Sequence, residues 1–254
     1  MIEYQIEFWK HLAVDAISDD SCYVFSTGLQ SPLINLLIFK KQDVKDITPI
    51  IDKATRFFAE HKNIPWGINI VDDEYSSNIK NILLEMGFQN ICQQYEIDTE
   101  IKQINTSNLS EKDIIEVSDA DMLDDWVIPI TSAFEAAAQD SKLYLDLSKK
   151  AFSSNSNRLK HFILYENDKP ISSATLCFFD KIARLDNVAT LKEKQGLGYG
   201  KNIVQYCTNK SKLAGSNTNR MVFESSKQGI KLYRKLGFSE TGKSYIYSKF
   251  SLDE

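Results

Sequence analysis

The sequence is poor in the residues that build metal centres and redox sites. Its 254 residues include only 3 histidines and 4 cysteines. The histidines have no metal-ligand spacing with each other or with the cysteines, and no Cys-x-x-Cys pair occurs. A structural zinc site needs about four such ligands, usually in closely spaced pairs. We therefore expect no metal, and reduced cysteines that pack as small apolar side chains.

Long apolar runs and an excess of basic charge are also missing. The longest apolar stretch, residues 33–39, is interrupted by Asn35 and is far shorter than the roughly 20 residues of a membrane helix. The N-terminus lacks the apolar segment of a signal peptide. A formal net charge of −5 argues against nucleic-acid binding. We expect a cytoplasmic protein with no membrane or nucleic-acid partner, as a monomer or homodimer.

The C-terminal half has a clear succession of predicted elements. Alternating and helical apolar patterns, separated by turn residues and glycines, predict strands at 161–166, 171–179, 182–190, 221–223 and 245–250 and helices at 201–214 and 227–236. Three strands in succession, followed by helix, strand, helix and strand, predict an α/β or α+β domain. Its mixed central sheet would be flanked by helices.

The N-terminal half ends in a comparable way, with a predicted strand at 66–71 and a helix at 78–86. Residues 80–88 echo residues 230–238, because each segment ends a helix with Leu or Met, Gly and Phe. The echo favours two related halves, although helix-ending chemistry alone can produce it. A polar stretch from Thr99 to Asp113 is the expected linker and gives predicted domains of 1–105 and 112–254.

A glycine-rich loop lies between a predicted strand and a predicted helix, at Gln195-Gly196-Leu197-Gly198-Tyr199-Gly200. Glycines let the main chain approach a phosphate closely, and the N-terminus of the following helix adds N–H donors and a favourable field. The loop does not fit two familiar nucleotide-binding patterns. A dinucleotide fingerprint requires Gly at position 201, which is Lys201, and a P-loop requires Ser or Thr at position 202, which is Asn202.

The pattern Gln-x-x-Gly-x-Gly resembles the acyl-CoA loop of the GNAT superfamily of N-acetyltransferases. The preceding Val188-Ala189-Thr190-Leu191 is similar to the strand edge that binds the pantetheine arm in that family. Lys192 occupies a position where the family commonly has proline. The resemblance implies acetyl-CoA as co-substrate, and a main-chain N–H near Ala189 or Leu191 that polarises the thioester.

A second segment, Gly229 to Phe238, resembles the Leu-Tyr-x-x-Leu-Gly-Phe element of the same family. The resemblance assigns Tyr233 as the general acid that protonates the departing thiolate. Ser226 stands where an asparagine often contacts CoA. The N-terminal half has no such loop, and Leu83 stands in place of the tyrosine. It is therefore interpreted as a degenerate GNAT-like domain.

The predicted site combines these segments. The cofactor-binding residues implied by the resemblance are Val188, Ala189, Thr190, Gln195, Gly196, Leu197, Gly198, Tyr199, Gly200, Lys201, Ser226 and Tyr233. Asp186 and Glu224 are candidate bases for the acceptor amine, with solvated charges as the alternative. For Tyr233 considered alone, partly buried packing is the alternative to a catalytic role.

The functional hypothesis is direct transfer of an acetyl group from acetyl-CoA to a primary amine of a small molecule or peptide, in a ternary complex. An alternative is a catalytically silent acyl-CoA sensor or interaction module that retained the loop. A weaker alternative is a nucleotide-binding enzyme, which competition by ATP rather than CoA would reveal.

Overall fold

The computed structural model describes residues 1–62, 64–106, 113–155, 158–213 and 218–251. Its helices are α1 (Ile2–Trp9), α2 (Thr48–Glu60), α3 (Ser76–Glu85), α4 (Leu123–Ala133), α5 (Ala138–Asn155), α6 (Tyr199–Leu213) and α7 (Ile230–Lys235). Its strands are β1 (Asp15–Ser18), β2 (Cys22–Ser26), β3 (Leu36–Phe39), β4 (Gly67–Val71), β5 (Gln89–Glu100), β6 (Ile114–Glu116), β7 (Leu159–Glu166), β8 (Lys169–Phe179), β9 (Ile182–Thr190), β10 (Arg220–Ser225) and β11 (Glu240–Ser248). Within these ranges, no helix has the length and apolarity needed to cross a membrane.

The chain forms two compact units that are not successive in sequence. The N-terminal unit comprises Met1–Glu96, Glu224–Lys227 and Thr241–Glu254, and the C-terminal unit comprises Ile97–Phe223 and Gln228–Glu240. The last strand of the chain therefore belongs to the N-terminal unit. The domain boundary predicted near 105–112 stays a prediction, because residues 107–112 lie outside the described part of the chain.

The N-terminal unit is built on a mixed sheet in the order β1-β2-β3-β4-β11-β5. β3 and β4 are parallel, whereas β11 runs antiparallel to β4 and pairs Tyr245 with Ile70. Helix α2 contributes a buried apolar face, and Phe58 stacks on Trp66 with ring centroids 4.9 Å apart. Burial of these apolar side chains is the main source of this unit's stability.

In the C-terminal unit the strands lie in the order β6-β7-β8-β9-β10 and form a mixed sheet region. β6 to β9 are antiparallel neighbours, and β9 and β10 are parallel. The tight turn between β7 and β8 uses Asn167 and Asp168 with φ of 50° and 59°. These residue types tolerate the left-handed region, so the turn follows from local sequence.

Helix α4 packs on this sheet through a buried apolar stripe that includes Leu123, Trp126 and Ile130. The Trp126 indole is fully buried, and its Nε1 donates a hydrogen bond to the carbonyl of Ala174 in β8 at 3.3 Å. A buried indole N–H needs such a partner, because an unpaired polar group in the core is costly. Helix and sheet are thus joined by both apolar contact and a specific hydrogen bond.

The predicted elements of the C-terminal half are present in the predicted order, but two have markedly different bounds. The helix predicted at 227–236 is α7 (Ile230–Lys235), and the strand predicted at 245–250 is β11 (Glu240–Ser248). The end of the helix predicted at 201–214 lies outside the described residues.

The expected linker is different at its start. Thr99 and Glu100 complete β5, and Ile101 and Ile104 are almost fully buried. Their polar neighbours mask this packing in the sequence, because only two apolar residues anchor the segment.

Candidate active site

In the C-terminal unit, β9 and β10 are paired over only the first part of β9. Their paired residues end at Arg184 and Val222, whereas β9 continues to Thr190. β9 remains paired with β8 on its other side over this stretch. Within the described residues, the second half of β9 therefore has no strand partner on the β10 side. Such an edge offers unpaired main-chain N–H and C=O groups to a ligand.

A β-bulge interrupts β9 at the same place. The register shifts between Ser173 and Thr175 of β8, and Asn187 on β9 has a left-handed φ of 54°. A bulge bends its strand and re-aims the main chain and side chains next to it. Asp186 and Val188, both predicted site residues, flank this bulge.

The glycine-rich loop adopts a conformation that only glycine accepts readily. Gly196 and Gly198 have φ of 79° and 97°, and a Cβ added at either would meet no atom within 4 Å. The requirement for glycine at these positions is therefore conformational rather than steric. It also means that the space in front of the loop is open.

The loop leads directly into the N-terminus of α6. The N–H of Asn202 donates to the carbonyl of Gly198 at 3.0 Å, which makes it the first amide of the helix with an i−4 partner. The N–H groups of Tyr199, Gly200 and Lys201 precede it and have no intrahelical acceptor. Together with the positive end of the helix dipole, they form a site suited to a phosphate-like anion.

Two side chains tether the loop. Glu166 at the end of β7 accepts hydrogen bonds from Lys194 Nζ at 2.5 Å and from the Tyr199 hydroxyl. Lys194 precedes Gly196 and Tyr199 follows Gly198, so the loop is held at both ends. Lys194 and Tyr199 hold the pKa of Glu166 below its usual range, so the tether stays ionised. Charge-assisted hydrogen bonds of this type are the strong ones, and they order the loop in advance of any ligand.

The three lysines around the loop differ in whether they form an ion pair. Lys192 forms an ion pair with Glu135, and Lys194 is bound to Glu166 as described. Lys201 in the first turn of α6 makes no ion pair within the part of the chain that the structure describes. Of these three lysines, Lys201 is therefore the one available to an anionic ligand.

Tyr233 lies on α7 and is almost completely buried. Its ring packs against Phe223 and Phe238, with centroid distances of 4.5 and 5.5 Å. Burial raises the pKa of Tyr233, and the charge of Asp186 raises it further. The phenol therefore keeps its proton across the physiological range.

Helix α7, the end of β9 and the start of α6 meet at one point. A Cβ added to Gly200 would lie 3.4 Å from Thr190 Oγ1 and 3.7 Å from Leu232, the residue before Tyr233. The glycine-rich loop, the open edge of β9 and the tyrosine helix are thus brought together as the sequence suggested. This convergence depends on the close approach that Gly200 permits.

Asp186 is held by a buried arginine. Arg184, two residues earlier on β9, is almost fully buried and contacts the carboxylate from Nε at 2.8 Å and from Nη2 at 3.1 Å. A guanidinium in this two-point geometry compensates the negative charge. The sequence did not single out Arg184, because a lone arginine in an apolar strand carries no motif.

One of the main-chain N–H groups expected to contact the thioester is already hydrogen-bonded within the sheet. The N–H of Leu191 donates to the carbonyl of Ile171 at 2.9 Å, so this amide is already paired. The expected thioester-polarising N–H near Ala189 or Leu191 stays a prediction. Ala189, two residues earlier, pairs with Ser173 of the same neighbouring strand. By strand alternation the main-chain groups of Thr190 face the opposite, open side, where Gln195 Nε2 donates to its carbonyl at 3.2 Å.

Glu224 and Ser226 fall among the residues that belong to the N-terminal unit. In that unit burial, with a contribution from the charge of Glu224, raises the pKa of Glu96 to about 7. Glu96 is 8% exposed, and sequence reasoning missed it because it lies in a polar strand without a motif. No group of three His, Cys, Asp or Glu residues that could hold a metal is found within the described ranges.

Comparison with known families matches residues 157–240 to the model described as the acetyltransferase (GNAT) domain. By this match, residues 157–240 form a GNAT-type acetyltransferase domain, which supports acyl transfer as the general class of reaction. No curated protein matched the sequence.

Solved structures show the same fold over nearly the whole chain. A GCN5-related N-acetyltransferase from Kribbella flavida is 12% identical, with a TM-score of 0.72 over 97% of this chain and 93% of that one. One from Sphaerobacter thermophilus is 8% identical, with a TM-score of 0.63 over 98% and 87%. A tandem GNAT protein from the clavulanic acid biosynthesis pathway is 10% identical, with a TM-score of 0.60 over 90% and 78%. The predicted fold, a GNAT-like mixed sheet flanked by helices in a tandem arrangement, is confirmed.

Proposed function

We propose that this GNAT protein is an acetyl-CoA-dependent N-acetyltransferase that transfers an acetyl group directly to a primary amine of a small molecule or peptide. The observation that carries the proposal is the open, left-handed loop at Gly196 and Gly198, which leads into the unpaired N–H groups of α6. It suits the pyrophosphate of CoA, because each N–H to a charged oxygen contributes about 1.5–3 kcal/mol.

The acyl arm would lie along the open edge of β9, where Val188 and Thr190 offer main-chain groups. An extended pantetheine chain with two amides can pair with such an edge as a peptide strand does. Lys201 would add a positive charge for the remaining phosphate. Gln195 keeps the loop against the end of β9 through its bond to Thr190.

In the proposed reaction the amine nitrogen attacks the thioester carbonyl, and the tetrahedral intermediate expels the thiolate. Tyr233 gives its proton to that sulfur; its raised pKa means that the phenol still holds this proton when the thiolate forms. The amine must lose a proton to Asp186 or Glu224, directly or through water. Arg184 compensates the charge of Asp186.

An acetyl-CoA consumption assay across classes of amine, with detection of the released thiol, tests the proposal. Amine-dependent thiol release that requires Gly196 and Gly198 would support it. Calorimetric binding of acetyl-CoA without thiol release from any amine would instead favour the silent sensor. Competition by ATP but not by CoA would favour a nucleotide-binding enzyme.

A further inference from the structure

The bulge of β9 is held by a specific set of side chains on three elements of the C-terminal unit. The Tyr144 hydroxyl on α5 donates to Asn187 Oδ1 at 2.6 Å, and Asn187 Nδ2 donates to Thr175 Oγ1 on β8 at 3.3 Å. Thr175 is fully buried, and its Oγ1 lies 2.8 Å from Nδ1 of the buried His161. Asn187, the bulged residue, is thus hydrogen-bonded to both α5 and β8.

The opposite strand is adapted to the same bulge. The register shift leaves Ala174 facing the extra residue of β9, and the carbonyl of Ala174 accepts the bond from Trp126 Nε1. The Trp126 ring stacks with that of Tyr144 at 6.0 Å between centroids. Helices α4 and α5 therefore both contribute side chains to this one irregularity. Hydrogen bonds between buried side chains on several elements restrict the local geometry of the bulge.

We propose that Tyr144 is a positioning residue for acetyl transfer, which it promotes by clamping Asn187 and so fixing the direction of the main chain at Asn187 and Val188. The inference rests on the proposed function. Asn187 sits in the left-handed region, which asparagine tolerates but which interrupts a strand, so within β9 this conformation needs a restraint from its surroundings. The clamp supplies that restraint beside the open edge of β9.

This role differs from binding the cofactor. The glycine-rich loop is tethered by Glu166 and Gln195, which do not contact the clamp through any bond described above. Loss of the clamp should therefore leave the affinity for CoA unchanged and lower the rate of acetyl transfer. Misplacement of reacting groups by about 1 Å costs up to about 100-fold in rate.

The test compares Tyr144→Phe with Tyr165→Phe, which removes a tyrosine hydroxyl bond of 2.8 Å to Asp125 on α4 and leaves the bonds of Asn187 in place. Amide hydrogen exchange of the peptide spanning residues 183–191 measures the local stability of the bulge in the absence of substrate. Calorimetry measures the Kd for CoA, which depends on the glycine-rich loop, and kcat measures the rate of acetyl transfer. For Tyr144→Phe we expect faster exchange at the bulge, an unchanged Kd for CoA and a kcat lowered about 10- to 100-fold. Tyr165→Phe should resemble the wild type in all three.

Two further variants keep the test decisive if Tyr144→Phe is poorly folded. Asn187→Gly retains the left-handed main chain but removes the side chain that Tyr144 binds. It should therefore lower kcat as much as Tyr144→Phe does. The double variant should have no lower kcat than either single variant. Thr175→Ser should retain activity, whereas Thr175→Val should not.

Wild-type exchange at the bulge, or an unchanged kcat in Tyr144→Phe alongside an active wild type, would overturn the clamp and leave the proposed function standing. A wild-type protein that transfers acetyl to no amine would overturn both.

Discussion

Gln195 Nε2 donates a hydrogen bond to the main-chain carbonyl of Thr190 at 3.2 Å, so the first residue of the glycine-rich loop is fixed to the last residue of β9. The same side chain accepts a bond at 3.0 Å from Gln228 Nε2 through its Oε1. The amide of Gln195 thus uses both its donor and its acceptor to orient the loop.

The first prediction follows from this bond. Gln195→Glu removes the donor and sets a negative charge beside both the Thr190 carbonyl and the proposed pyrophosphate. We expect the KM for acetyl-CoA to rise about 10-fold, because one neutral hydrogen bond that orients the loop is lost and a negative charge is added beside the proposed pyrophosphate, with kcat nearly unchanged. Steady-state kinetics at saturating amine measures it. Gln195→Arg keeps a donor and should stay near the wild type, and equal KM values for both variants would contradict the role of the donor.

The second prediction uses the left-handed glycines. Gly198→Ala places a Cβ in a conformation that costs about 1–2 kcal/mol, although no neighbouring atom obstructs it. Gly87→Ala in the N-terminal unit is the matched control, because its φ is 84° and its surroundings are equally open. Both variants should lose a similar free energy of unfolding in denaturant titrations. In calorimetry only Gly198→Ala should bind acetyl-CoA more weakly, and equal weakening by Gly87→Ala would count against a binding role for the loop.

The third prediction concerns the proton of Tyr233. Tyr233→Phe should lower kcat by about 10²–10⁴-fold if the phenol protonates the thiolate. Because burial raises its pKa above the usual value of about 10, wild-type kcat should not fall through this group until the pH exceeds about 10. A pH–rate profile with both proteins measures this. The control is Tyr206→Phe on α6, whose buried ring packs on Phe162. Full turnover by Tyr233→Phe would remove the tyrosine from the mechanism.

The fourth prediction concerns stability at low pH. Burial lowers the pKa of His161 to about 3, so the folded state resists a proton that the unfolded state accepts near pH 6.5. Below pH 6.5 the unfolded state binds more protons, and the free energy of unfolding falls by up to about 1.4 kcal/mol per pH unit towards pH 3. Urea titrations between pH 7 and 5 should give a shallower pH slope for His161→Asn than for the wild type. Parallel slopes would show that His161 is not the source.

The extent of prediction from sequence differed from element to element. β7 to β9 and α6 could be predicted, because alternation, turn residues and glycines are local signals. The convergence of Gly200, Thr190 and Leu232 was implied by the family resemblance. The left-handed Asn187, the burial of Ile101 and the place of β11 in the N-terminal unit could not be predicted. Each depends on contacts between segments far apart in the chain, for which neighbouring residues carry no signal.

The position of β11 has a consequence for how the protein is made. β11 lies between β4 and β5 in the sheet, but it is translated only after residues 97–240, which contain the C-terminal unit. Until β11 has left the ribosome, β4 exposes a bare edge of the kind that invites aggregation. The N-terminal unit therefore completes its sheet only after the C-terminal unit has been synthesised, and removal of β11 would destabilise the unit that begins the fold.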